Sequence, residues 1–93
     1  MIKVYENIVA IPPGETIKEL LSIKRISQVE LAKRMGYDKK TVNEIINGKG
    51  SLTRNTAILL SNILGLSVQS WLNLEAAYNS KLAMIGIEKK TEK

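Results

Sequence analysis

Between Lys39 and Lys49 the chain reads KKTVNEIINGK, and its polar side chains share one kind of chemistry. Lys39, Lys40 and Lys49 are charged donors, Asn43 and Asn47 each carry a donor and an acceptor, Thr41 has a hydroxyl and Glu44 an acceptor. Such a set makes hydrogen bonds and ion pairs and has little to offer bond cleavage. The 93-residue chain has no His and no Cys, so the commonest general base, the readiest nucleophile and the best zinc ligands are all missing. Catalysis would have to rest on carboxylates, Lys or Ser, and the carboxylates are not clustered. An enzyme is disfavoured, and neither a metal nor a cofactor is expected. The run INGKGS at 46–51 has a superficial likeness to a phosphate-binding P-loop. It lacks the first Gly at the required spacing, places Gly50 between Lys49 and Ser51, and follows a helical pattern in place of a strand, so it is rejected.

The charge around that stretch is unevenly placed. Residues 24–54 hold eight basic side chains (Lys24, Arg25, Lys33, Arg34, Lys39, Lys40, Lys49 and Arg54) against Glu30, Asp38 and Glu44. The surplus there equals the net charge of +5 of the whole chain, so the remainder is neutral. A basic excess confined to one segment suits a phosphate-binding surface, although charge alone fits a solvated face equally well.

These residues need elements to hold them. A composition 44% hydrophobic and 25% charged fits a globular chain, large enough for one modest core. The absence of Cys suits a reducing compartment. No apolar run approaches the roughly 18 residues of a membrane span, and no signal-peptide pattern opens the chain, so a soluble cytoplasmic protein is expected. Pro12-Pro13-Gly14 introduces a first helix at about 15–24, with Ile17, Leu20, Leu21 and Ile23 or Lys24 on its stripe. Ser27 and Glu30 form a capping box for a second helix at 28–35, with Val29, Leu31, Ala32 and Met35 inward and Gly36 ending it. Asp38 caps a third helix at 39–47, closed by Gly48. A fourth starts at Thr53 or Asn55, turns Ala57, Leu60, Ile63 and Leu64 inward, and ends at Leu64 before Gly65. Ser67 caps a fifth at about 68–84, and the polar tail from Gly86 should fray. The expected fold is all-α: a compact five-helix domain spanning 1–93, ordered over about 12–85, with residues 1–11 a possible extended arm.

The second and third helices are separated only by Gly36-Tyr37-Asp38, the short Gly-containing turn of a helix-turn-helix. Its offsets require a small residue where the helices approach (Ala32), a reversal four residues later (Gly36), and apolar pins from the third helix (Val42 and Ile45); with Leu31, all are met. If Val42, Ile45 and Ile46 point inward, then Lys40, Asn43, Glu44 and Asn47 point out, with Lys39 at the exposed N-terminal end. That is the geometry of a helix entering the major groove of DNA. Lys39 and Lys40 suit guanine acceptors, Asn43 suits adenine, and Glu44 either accepts from cytosine or repels a wrong site. Gln28, Thr41, Asn47, Lys49 and Arg54 are the expected phosphate contacts.

The run from Ser27 to Ala32 and on through Asn47-Gly48-Lys49 resembles the lambda-repressor-like, XRE-type helix-turn-helix. Pro13-Gly14-Glu15, NEIINGKGSLT at 43–53 and WLNLEAAY at 71–78 are similar, more narrowly, to HigA-type antitoxins. The resemblance covers about residues 12–83. It implies a DNA-binding antitoxin that neutralises a small, basic, HigB-like mRNA-cleaving toxin and, as a homodimer, represses its own operon at operator DNA. Pro12 departs from the His that the family often has before Pro-Gly. Some relatives continue past this chain's polar end into a further domain, which leaves open that the sequence is the N-terminal DNA-binding part of a longer protein. A stand-alone regulator without a toxin is the other reading.

On the fifth helix Trp71, Leu74, Tyr78, Leu82 and Ile85 form one stripe, widened by Val68, Leu72 and Ala76. Trp71 and Leu72 are expected to close the core. The stripe is wide for a terminal helix, so Leu74, Tyr78 and Leu82 are expected to meet a dimer partner or the toxin.

Overall fold

Caps set the boundaries of the helices. The computed structural model describes the backbone of residues 10–91 and the side chains of residues 10–86. Five helices follow in order: α1 Pro13–Lys24, α2 Gln28–Met35, α3 Lys39–Ile46, α4 Arg54–Leu64 and α5 Val68–Thr91. Ser27 Oγ accepts from the Glu30 amide at 3.0 Å, and Asp38 Oδ1 accepts from the Thr41 amide at 2.8 Å. Thr53 and Ser67 do the same for the amides of Thr56 and Ser70. Each cap satisfies an amide that has no partner in the first helical turn. Between α2 and α3 the chain reverses at Gly36, whose φ of 73° lies in the left-handed region, and the Tyr37 amide closes back on the Ala32 carbonyl at 3.0 Å.

The helices bury one continuous core of Ile17, Leu21, Leu31, Ala32, Met35, Val42, Ile45, Ile46, Leu52, Ala57, Leu60, Leu64 and Trp71. Trp71 is the largest fully buried side chain. Its indole N–H donates to the Gly65 carbonyl at 2.9 Å, so burying the ring leaves no donor stranded. Leu72, also expected to close the core, is half-buried against it. Among the described residues there is no strand, and no helix is long and apolar enough to cross a membrane. The extended arm expected at 1–11 lies outside the described residues up to residue 9.

Several local expectations differ. The first helix starts at Pro13, two residues early, because a proline at the first helical position needs no amide partner. Only half of the capping box forms: the Glu30 carboxylate accepts from Arg34 Nε at 3.0 Å, an i to i+4 pair that competes with the reach back to Ser27. Val29, expected inward, is 46% exposed, since the face carrying Leu31, Ala32 and Met35 is the one that turns to the core. Ile23 is 71% exposed beyond the α1 stripe. On α4, Thr56 takes a buried place beside Ala57, Leu60 and Leu64, while Ile63 is half-buried. The fifth helix continues through Thr91, past its expected end and through Gly86, because Ile87-Glu88-Lys89-Lys90 are acceptable helix formers with nothing to break them.

Candidate nucleic-acid interface

The helix α3 is held in place by what lies behind it. Val42, Ile45 and Ile46 are buried against the core. The first turn of α1 comes so close that a Cβ on Gly14 would fall on the backbone carbonyl of Ile46. The turn ahead of α3 is pinned as well: the half-buried Tyr37 hydroxyl shares a hydrogen bond with Thr56 Oγ1 at 3.0 Å, and Thr56 shares another with Thr53 Oγ1 at 3.1 Å. Nothing local in the sequence marks Tyr37, because its partner lies nineteen residues away.

The rest of α3 is polar and turned away from the core. Lys39, Lys40, Asn43, Glu44, Asn47, Lys49 and Arg54 are exposed, and Gln28 and Thr41 are half-buried. Lys39, Lys40, Asn43, Glu44 and Asn47 lie on α3 or its cap, Lys49 just beyond, Gln28 at the first position of α2 and Arg54 at the first of α4. None of Lys39, Lys40, Lys49 and Arg54 forms an ion pair with another described residue; the pairs that do form are Lys18–Glu15 and Arg34–Glu30.

Two of the side chains are tied to neighbours. Asn47 Nδ2 donates to Asn43 Oδ1 at 3.0 Å across one helical turn, which orients the Asn43 amide and leaves its NH2 group and one oxygen lone pair without use in that bond. The Thr41 hydroxyl and amide hold the Asp38 carboxyl below the ordinary carboxylate range, assisted by the charge of Lys40. Asp38 therefore stays ionised at the N-terminus of α3, where a negative charge is favourable.

On α5, Leu74 is half-buried against the core and Leu82 is 43% exposed. Tyr78 is half-buried, and its hydroxyl lies 3.5 Å from the Gly48 carbonyl oxygen, to which it donates. From Asn79 to Met84 every residue is exposed, so this stretch of α5 projects beyond the bundle. Glu75, which drew no notice in the sequence, accepts from the Leu52 amide at 3.1 Å through Oε2.

A family model described as helix-turn-helix matches residues 17–71. The fold superposes with a TM-score of 0.76 on an addiction module antidote protein of a HigA family from Coxiella burnetii, 37% identical, covering 89% of this chain and 91% of that one. A structure described as the Pseudomonas aeruginosa antitoxin HigA with the higBA promoter is 30% identical with a TM-score of 0.79, covering 90% and 92%. The chain is also 39% identical over 67 residues to an uncharacterized HTH-type transcriptional regulator, YddM, of Escherichia coli K12, covering 72% of this chain and 71% of that protein.

Proposed function

The chain belongs to the helix-turn-helix family, in its HigA-type antitoxin branch, and from that premise we propose that it binds operator DNA through α3 and acts as the antitoxin and autorepressor of a toxin–antitoxin module. One observation carries the DNA part: a helix fixed from behind by buried apolar residues and by the Gly14 contact presents a polar, cation-bearing face outward. That a similar HigA is known with its promoter supports the same use here. In this reading Lys39, Lys40, Asn43 and Glu44 meet base edges, with Asn43 held by Asn47 for adenine. Gln28, Thr41, Asn47, Lys49 and Arg54 meet phosphates, and the free N-terminal amides of α2 and α3 add their dipoles.

A groove-reading helix of this kind acts in pairs, one DNA turn apart, so the active form is a homodimer. The projecting part of α5, with Leu82 and Met84 exposed, supplies apolar surface for the second copy or for the toxin. In this reading the toxin partner is a small basic ribonuclease acting on mRNA, encoded beside this gene. Fluorescence anisotropy with duplex from the gene's own promoter tests the DNA part. Lys40→Ala, with unchanged circular dichroism, is expected to weaken binding by about 1–3 kcal/mol and to relax base preference at one position. Equal affinity for the wild type and the variant would remove α3 from the reading role.

The similarity to the E. coli protein described as a transcriptional regulator supports a second reading, a helix-turn-helix regulator acting without a toxin partner. Co-expression with the neighbouring reading frames separates the two: a small protein that co-purifies and is toxic alone supports the antitoxin, and its absence supports the regulator.

A further inference from the structure

The loop between α3 and α4 carries Lys49, and its first half is tied to α3 itself. The amides of Lys49 and Gly50 both donate to the Glu44 carbonyl, at 2.8 and 3.1 Å. The second half is held from elsewhere. The Leu52 amide donates to Glu75 Oε2 of α5, and the Leu52 side chain is buried beside it. One turn along α5, the Tyr78 hydroxyl closes on the Gly48 carbonyl. Gly48 has a φ of 75°, and a Cβ there would sit 2.8 Å from that hydroxyl and 3.0 Å from the Pro12 ring, so the loop is seated tightly between α5 and the residue before α1. Glu75 and Tyr78 lie three residues apart on one face of α5; Glu75 holds the loop at Leu52 by a hydrogen bond, and Tyr78 meets it at Gly48 through a longer contact of 3.5 Å.

Building on the DNA-binding reading, we propose that Glu75 and Tyr78 are positioning residues for the DNA surface, fixing the loop from Gly48 to Leu52 so that the Lys49 side chain meets a phosphate without a further ordering cost. The Glu75 carboxylate is the informative member, because its charge and its hydrogen bond act in opposite directions. A negative side chain near a DNA-binding surface repels phosphate, so on charge alone its removal strengthens binding. As a positioning residue, its removal frees the Leu52 amide, loosens the loop and weakens binding.

The test compares the wild type with Glu75→Ala, Glu75→Gln and Tyr78→Phe by anisotropy on the promoter duplex across a salt series. Glu75→Ala is expected to bind roughly three- to tenfold more weakly, the ordering cost of a freed loop, with a salt slope shallower by about one phosphate contact. Glu75→Gln keeps an acceptor oxygen for the Leu52 amide and loses the charge, so it is expected to bind as tightly as the wild type or more tightly. Tyr78→Phe is expected to bind about twofold to threefold more weakly. In a Lys49→Ala background the Glu75→Ala effect shrinks, because the contact being positioned is gone. Amide exchange at Leu52 provides a measurement without DNA: protection in the wild type and in Glu75→Gln is expected. Wild-type affinity in a folded Glu75→Ala, or an unprotected Leu52 amide in the wild type, overturns the proposal while leaving the DNA-binding reading intact. A wild type that ignores the promoter duplex overturns both.

Discussion

Substituting Gly14 by Ala should destabilise the protein, although glycine-to-alanine changes inside helices usually help. Gly14 is the second residue of α1, and a methyl group there gains less than about 1 kcal/mol in helix propensity. The same methyl would occupy the place of the Ile46 carbonyl, a backbone atom that cannot swing aside as a side-chain tip can. Overpacking costs typically about 1–3 kcal/mol, and a clash with backbone puts this case at the upper end, so a net loss of about 2 kcal/mol is expected. Urea unfolding followed by circular dichroism reads it as a lower midpoint at unchanged slope. Gly36→Ala is the comparison: nothing lies within 4 Å of its Cβ, so only the left-handed φ is penalised, by about 1–2 kcal/mol. The two variants also differ in function. Relief of the clash at Gly14 moves α1 off the end of α3, so promoter affinity should fall even at temperatures where the variant is fully folded. Stability equal to or above wild type in Gly14→Ala would refute the close approach of α1 to α3 on which the rigid reading helix depends.

Trp71→Phe should cost about 2–3 kcal/mol in thermal or urea unfolding, since it leaves a cavity in the core and strips the Gly65 carbonyl of its donor. Asp38 adds a pH dependence of defined sign: its carboxyl is held below the ordinary range in the folded state, so its stabilising effect is present above the unfolded-state carboxylate value and is lost as pH falls through the lower folded value. Acid titration of Asp38→Asn, which keeps a capping oxygen, should therefore show a flatter fall in stability below the normal carboxylate range than the wild type shows. Asn47→Ala releases the Asn43 amide, and selection of promoter duplexes from a randomised pool should then show weaker preference for adenine at one position, with overall affinity reduced less than by Asn43→Ala.

The helices and their order could be read from the sequence because the signals that set them are local. Ser27, Asp38, Thr53 and Ser67 cap the amides three residues on, and Gly36 ends α2 with the backbone that the turn requires. The spacing of Leu31, Ala32, Val42 and Ile45 was enough to pair α2 with α3 and to turn Lys40, Asn43 and Glu44 outward. The support behind that surface was hidden, because each of its contacts joins residues far apart in the chain. Gly14 against Ile46, Tyr37 on Thr56, Glu75 on Leu52 and Tyr78 on Gly48 have no spacing rule that announces them. Tyr78 shows the consequence: its place on an apolar stripe suggested a surface for a partner, and the half-buried side chain also meets Gly48 within the chain. Where two local options competed, as for Glu30 between Ser27 and Arg34, only the folded geometry could choose.

The reading role of α3 is tested most directly by mapping, residue by residue, which amides of the protein respond to DNA. In a 15N-labelled sample titrated with the promoter duplex, the largest chemical-shift changes are expected from Lys39 to Lys49 and at Gln28 and Arg54, with Ser80 to Met84 on α5 nearly silent at a fixed oligomeric state. Changes concentrated on α5, with α3 unmoved, would contradict the account.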